Sequence, residues 1–367
     1  MDHSREADPF SQRCHVGREA QDSHVFVLSQ LPTACTLLAT SEERSIVNQP
    51  IISKILLATD FSDSAVLAQV YTEYLAAALK ASVAVLHVSE SRHGGVAPSE
   101  EAEIHTKLRK VRESVEKLAI PVSIHRSTGN AGDQILSTAR HMNADVIVMG
   151  MQGHEHLPYG LIGTTVRTVT TSGPCPVLTV PLPAKEASPC LFSGPEAVKV
   201  RRILAPVDFS RPSMDSLECA IHLAHGLKAD LVLLHVVEPV HGDWDLHRMQ
   251  GAAETRDQWD ARLGHLAEMM KSLGLSATYD VRTGTPPDSI LACALQQGCD
   301  LLVMGTHGRR GREGMDVGSV AEAVLKQVTC PILTVKNPKF VGGGRPAIRE
   351  VLSEKSQEAA TGDRRSA

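Results

Sequence analysis

A chain of 367 residues holds two ordinary domains, each large enough to bury its own core. Aromatic residues make up only 3% of it, so the cores must be built from Val, Ile, Leu, Ala and Met, the composition of a parallel sheet covered by helices. A formal net charge of −5, with no long basic run at either terminus, argues against nucleic acid as the main partner.

Residues 1–50 are polar apart from Val25–Leu28 and Leu37-Leu38, and are expected to form a mostly disordered extension. They begin MDHSREAD, without a signal-peptide pattern, and no apolar run approaches the roughly 20 residues that span a membrane; the expected compartment is the cytoplasm. From Lys54 the pattern sharpens. Ile55–Ala58 is a short buried strand, Asp60-Phe61-Ser62 turns the chain with a helix cap available, and Ala65–Leu79 carries apolar residues at helical spacing. A strand over Val83–Val88, a charged amphipathic helix from about Glu101 to Leu118 and a strand over Pro121–His125 follow. Asn130 can cap a helix running to Arg140; Ala144–Met149 and Val177–Val180 complete the first series as strands. Strict alternation of strand and helix implies a mostly parallel sheet with right-handed crossovers.

The series then starts again. Ile203–Ser210 repeats Ile55–Ser62 at an offset of 148 residues (Asp60 to Asp208), and Leu234-His235-Val236 repeats Leu86-His87-Val88 at the same offset. Later landmarks sit 155 apart, among them Gly150 with Gly305 and Pro174–Val180 with Thr329–Val335. Seven residues have therefore been gained after the second strand of the repeat, most simply in the stretch containing Trp244 and Trp259. So long a period means duplication of a whole domain. The expected organisation is an N-terminal extension (1–50), a first domain (51–182), a linker (183–199), a second domain (200–337) and a flexible tail (338–367).

Each copy carries a strand that breaks at glycine and resumes as a helix: Gly150, Gly153, Gly163, Thr164 in the first, Gly305, Gly308, Gly318, Ser319 in the second. Glycines let the backbone approach an anion and a helix N-terminus presents free N–H groups, so this is the pattern of a phosphate site; it is equally the pattern of a tight turn. Together the D-F-S turn, the L-H-V strand, the M-G-x-x-G-x9-G-[ST] loop and the closing C-P-[IV]-L-T-V strand, each present twice and in order, resemble the universal stress protein family. The resemblance covers roughly residues 53–182 and 200–337. It implies an α/β fold of two tandem, doubly wound, open parallel five-stranded sheets in Rossmann-like order 3-2-1-4-5, with an ATP site at the carboxyl ends of the strands, where such sheets bind ligands.

Carried over residue by residue, the resemblance places Pro206, Asp208 and Val236 around the adenosine of the second copy. Met304 would support the loop, and Gly305, Gly308, Gly318, Ser319 and Val320 would cradle ribose and phosphates. The matching residues of the first copy are Ala58, Asp60, Val88, Met149, Gly150, Gly153, Gly163, Thr164 and Thr165. Two departures stand out in the first copy: Met151-Gln152 replaces Thr306-His307, and its loop interior, HEHLPYGLI, is bulkier and carries Glu155, where the second has Arg309, Arg310 and Arg312. A triphosphate needs neutralisation, so the second copy is expected to hold ATP, with Mg2+ carried by the nucleotide, more tightly.

Other chemistry is less well supported. Cysteines at 14, 35, 175, 190, 219, 293, 299 and 330 form no C-x-x-C pair and are expected to be reduced thiols. His154-Glu155-His156 lacks a third metal partner, His87 and His235 sit in apolar strands as satisfied core histidines, and the absence of a Gly-Lys dipeptide excludes a Walker loop. Asp60 and Asp208 fit either a ribose contact or a simple turn. Three functions remain open: a nucleotide-binding regulator of a stress response with unknown protein partners, a slow ATPase or phosphoryl-transfer enzyme, and an interaction module without nucleotide. The resemblance also implies pairing through Val177–Val180 and Ile332–Val335, here within one chain as a pseudo-dimer, with a homodimer as the alternative.

Overall fold

The computed structural model describes residues 51–89, 98–153, 162–182, 198–239, 256–308 and 317–336. The first half runs β1 (Lys54–Ala58), α1 (Asp63–Leu79), β2 (Ser82–Ser89), α2 (Pro98–Glu116), β3 (Val122–Thr128), α3 (Ala131–His141), β4 (Val146–Gly150), α4 (Thr164–Ser172) and β5 (Val177–Val180). The second repeats it as β6 (Arg202–Pro206), α5 (Arg211–Leu227), β7 (Asp230–Val237), α6 (Arg256–Ser272), β8 (Ala277–Thr283), α7 (Pro286–Gln296), β9 (Leu301–Gly305), α8 (Ser319–Leu325) and β10 (Ile332–Val335).

Local chemistry sets the element boundaries. Ser62 and Ser210 cap α1 and α5, their hydroxyls accepting from the N–H groups of Ala65 and Ser213 at 3.4 Å. Both helices end at a lysine in the left-handed region, Lys80 (φ 56°) and Lys228 (φ 55°), whose N–H closes back on Ala76 and Ala224 respectively. Asn130 caps α3 through Asp133 N–H at 3.1 Å, as its position before the apolar run suggests.

Each half is a parallel sheet in the order third, second, first, fourth, fifth strand, and the two join edge to edge into one ten-stranded sheet, β3-β2-β1-β4-β5-β10-β9-β6-β7-β8. The join is antiparallel, with Leu178 opposite Leu333, Thr179 opposite Ile332 and Val177 opposite Thr334. Leu178 and Leu333 occupy the same place in the repeat, so a local two-fold axis runs between them. The hydroxyl of Thr334 donates to the Val177 carbonyl at 3.2 Å, and that of Thr179 to the Ile332 carbonyl at 3.5 Å. Pairing of the two edge strands within one chain is thus realised, and each covers the other's unpaired backbone groups.

Strand parity assigns the faces. Ile55, Leu57, Val83, Val85, Val146 and Val148 point to one side, under α1 and α2, in a core that continues through Leu178, Val180, Leu333 and Val335 to α5 and α6. Leu56, Ala58, Leu86, Ile147 and Met149 point to the other, under α3 and α4; Leu204, Leu234, Leu302 and Met304 do the same beneath α7 and α8. Where α1 meets α5, the end of the Leu79 side chain lies over Gly226, with Cδ2 2.5 Å from where a Cβ would stand.

The added residues of the second half lie before α6. Trp259, Leu263, Leu266 and Met270 are buried on α6 where Ile104, Leu108, Val111 and Val115 are buried on α2, each pair 155 residues apart. Trp259 is therefore a core residue of the repeat, and the insertion falls in the stretch with Trp244, between β7 and α6. Cys175, Cys219, Cys293, Cys299 and Cys330 are free thiols, and burial pushes Cys299 up to about 12 and Cys330 up to about 11. Those two thiols stay protonated at neutral pH.

Candidate functional site

The sequence-derived residues converge at the carboxyl rim of each half, beside the point where strand order reverses between the first and fourth strands. In the first half, Ala58, Met149 and the half-buried Val88 lie on the α3/α4 face of β1, β4 and β2. Pro206 takes the place of Ala58 at the end of β6, with Met304 and Val236 on the same face of β9 and β7. The three side chains form an apolar floor, and polar groups stand at its edge.

Those groups come from the turn after the first strand. Ser62 N–H and Oγ–H both donate to Asp60 Oδ1, at 2.9 and 2.6 Å; Ser210 does the same to Asp208 Oδ1 at 3.0 and 2.5 Å. The serine thus caps the helix while the aspartate holds the serine, a division of labour that the single word turn does not capture. The second carboxylate oxygen points to the glycine loop: a Cβ at Gly153 would be 3.3 Å from Asp60 Oδ2, and one at Gly308 would be 2.8 Å from Asp208 Oδ2. A side chain would crowd the carboxylate at Gly153 and collide with it at Gly308, so each half carries a cradle between a carboxylate and a bare backbone.

The intervening phenylalanine is in the left-handed region in both turns, Phe61 at φ 65° and Phe209 at φ 60°. Such a conformation costs about 1–3 kcal/mol in a bulky residue and persists only where its surroundings fix it. The L-H-V histidines supply the fixation. His87 Nδ1 lies 2.9 Å from the Thr59 carbonyl and His235 Nδ1 lies 2.7 Å from that of Val207, which makes Nδ1 the protonated nitrogen in each ring. Phe61 stacks on His87 at 4.7 Å; in the second half His235 stacks on Trp259 at 4.0 Å, and Arg262 lies over both Phe209 and Trp259 at 4.5 and 4.7 Å. These histidines are satisfied core residues as expected. Their partner, the carbonyl just ahead of the aspartate, is what sequence alone did not supply.

Burial lowers the pKa of His87 against the opposing effect of the Thr59 carbonyl. A depressed folded-state value means that its contribution to stability is complete above the unfolded imidazole value of about 6.5 and is lost as pH falls below it. Burial acts the same way on His265. The thermal midpoint is therefore expected to drop between pH 7.5 and 5.5, and less steeply in His87→Asn; equal pH slopes for the two proteins would contradict this.

The glycine loops then lead into α4 and α8. Gly163 and Gly318 stand at their N-caps and bring no side chain to the first-turn N–H groups. Thr164, Thr165, Ser319 and Val320 form those first turns, and the Thr306 carbonyl accepts Gly318 N–H at 2.8 Å, closing the base of the second loop. Gly150 and Gly305 have a different role: they are where the fourth strand of each half presses on the first turn of α1 or α5. The two loops also start differently. The carbonyl of Gln152 accepts from the hydroxyl of Ser64, and its side-chain oxygen accepts Leu182 N–H at 3.1 Å. Pro212 replaces Ser64 in the second half, leaving Thr306 and His307 to bond each other at 3.0 Å. Arg309, Arg310, Arg312 and the triplet His154-Glu155-His156 lie outside the described residues, and no group of three metal-ligating side chains occurs among the described ones.

The sequence profile of the Universal stress protein family matches residues 52–181 and again residues 199–336. A universal stress protein of Methanocaldococcus jannaschii is 31% identical over 146 residues, which are 38% of this chain and 84% of that protein. One from Synechocystis is 23% identical over 315 residues, covering 78% of this chain and 100% of its own length. The crystal structure of a universal stress protein from Archaeoglobus fulgidus is similar with a TM-score of 0.57 at 21% identity, over 78% of this chain and 97% of that one. At that identity the likeness is one of fold.

Proposed function

The chain belongs to the universal stress protein family, and we propose that it is a two-site adenine-nucleotide-binding regulator of a cytoplasmic stress response, with the second half the stronger ATP site. The observation that carries this reading is the repeated cradle. In each half a carboxylate oxygen, Asp60 Oδ2 or Asp208 Oδ2, stands within 3.3 Å of where a loop glycine lacks a side chain, above an apolar floor at the switch in strand order. A carboxylate beside an apolar floor suits a ribose hydroxyl next to a base; glycine backbone and an uncapped helix start suit phosphates. Mg2+ would arrive with the nucleotide.

The domains carrying these sites are residues 51–182 and 200–337, flanked by the extension 1–50, the linker 183–199 and the tail 338–367. Preference for the second half is supported by the three arginines of its loop and by the bonds from Ser64 and Leu182 that tie Gln152 down in the first. Among the described residues no helix is long and apolar enough to cross a membrane.

The test begins with nucleotide released by denaturing the purified protein, followed by titration of the intact chain with a fluorescent ATP analogue. Asp60→Ala, which leaves the second site whole, should bind more tightly than Asp208→Ala. A chain that neither retains nor binds nucleotide overturns the reading, and the reverse order of affinities overturns the preference. Steady loss of ATP over hours with magnesium would move the protein to the enzyme class.

A further inference from the structure

The seam between the halves is not made of two identical faces. The axis through Leu178 and Leu333 brings a residue of one half opposite its own counterpart in the other, and one such position is charged. Arg167 on α4 and Glu322 on α8 are 155 residues apart, hence equivalent in the repeat, and they form an ion pair of 3.0 Å across the seam. At a position that faces itself, self-pairing of the first half would set arginine against arginine, and self-pairing of the second would set glutamate against glutamate. Only the mixed pair brings opposite charges together. Lys326, one turn along α8, holds Glu322 from its own side at 3.0 Å.

Packing at the seam is also one-sided. Met151, 5% exposed, belongs to the first half but packs in the apolar cluster beneath α7 and α8, with Leu302, Val328 and Ile332 among its members. Its counterpart Thr306 is a buried hydroxyl residue bonded to His307, and no residue of the second half enters the described cluster beneath α3 and α4. A seam of two second halves would leave unfilled the space Met151 takes. A seam of two first halves would present two methionines to a cluster that here receives none.

We propose that the two halves are cognate faces, each built to pair with the other half and not with a copy of itself, and that the Arg167/Glu322 position selects the mixed pair. Duplication followed by opposite charge at one self-facing position is the simplest way to make a two-fold seam specific, because each attraction gained is matched by two repulsions imposed on the alternatives. The ion pair is partly exposed, 44% at Arg167 and 28% at Glu322, so it acts as a selector more than as glue.

The test uses the whole protein with a protease site placed within residues 183–197. After cleavage the halves are separated in mild denaturant, diluted back and weighed by native mass spectrometry. The expected result is mixed pairs in at least tenfold excess over both self-pairs; a statistical 1:2:1 distribution overturns the proposal. Should the cut chain not refold, the uncut chain decides. In a Lys326→Gln background, which removes the competing intrahelical pair, Arg167→Glu should lower the thermal midpoint and make it rise with salt. Adding Glu322→Arg should restore most of the loss. A double variant as unstable as the sum of its parts would sink the idea.

Discussion

Gly150→Ala is expected to destabilise the protein by roughly 3 kcal/mol, at the upper end of what overpacking costs. A Cβ there would lie 2.2 Å from Ser64 Oγ and 2.7 Å from both the Ala65 nitrogen and the Ser64 carbonyl carbon. Two of those atoms are backbone in the first turn of α1, which cannot turn aside. Ser64 is itself fully buried and donates to the Gln152 carbonyl, so displacing it also opens the entrance of the first loop. At the equivalent Gly305 the nearest atoms are also backbone but stand farther off, the Pro212 carbonyl oxygen at 2.9 Å and its carbonyl carbon at 3.1 Å, so the overlap to be relieved is smaller. Gly305→Ala should therefore cost about 1 kcal/mol. Urea midpoints of the two variants measure the difference, and equal costs would mean that the strand does not press on α1 as described.

The second large effect concerns affinity. Asp208→Ala, in an Asp60→Ala background that leaves the second site as the one under observation, should weaken binding of a fluorescent ATP analogue about ten- to a hundredfold. A hydrogen bond to a charged group is worth about 1.5–3 kcal/mol, and each 1.4 kcal/mol is a factor of ten. Gly308→Ala should produce a comparable loss by another route, since its Cβ would stand 2.8 Å from Asp208 Oδ2 and turn the carboxylate away. Because both changes act on one oxygen, their effects should not add: the double variant should bind about as weakly as the worse single one. Additive losses would separate the aspartate from the glycine and dissolve the cradle.

The fold was legible because a repeat supplies its own control: two glycine loops at one spacing exclude accident, and the alternation of strand and helix dictates a parallel sheet. The candidate floor was legible through the family resemblance, and Asp60 and Asp208 through their place at the strand ends. What remained hidden was through-space. Arg167 and Glu322 look like ordinary helix-surface charges until β5 and β10 are paired in register. His87 and His235 look like core residues, and they are, yet the carbonyls they bind belong to the turn that aims the aspartates. Trp259 falls in the stretch to which the change of offset confines the insertion, and only its burial beside Leu263 on α6 shows that it replaces Ile104. The left-handed Phe61 and Phe209 carry no sequence signal, since phenylalanine is among the residues least expected there.

The antiparallel junction of β5 with β10 has a bearing on how nucleotide would be read out. Strands of one half run opposite to those of the other, so the two carboxyl rims lie on opposite borders of the ten-stranded sheet, while α3, α4, α7 and α8 share one face. The carboxyl ends of β4 and β9 consequently point away from each other. Such a molecule is two-headed: whatever binds at one carboxyl rim stands beyond one border of the sheet, and whatever binds at the other rim stands beyond the opposite border. Under the proposed difference in affinity, rising ATP would fill the rim of the second half before that of the first.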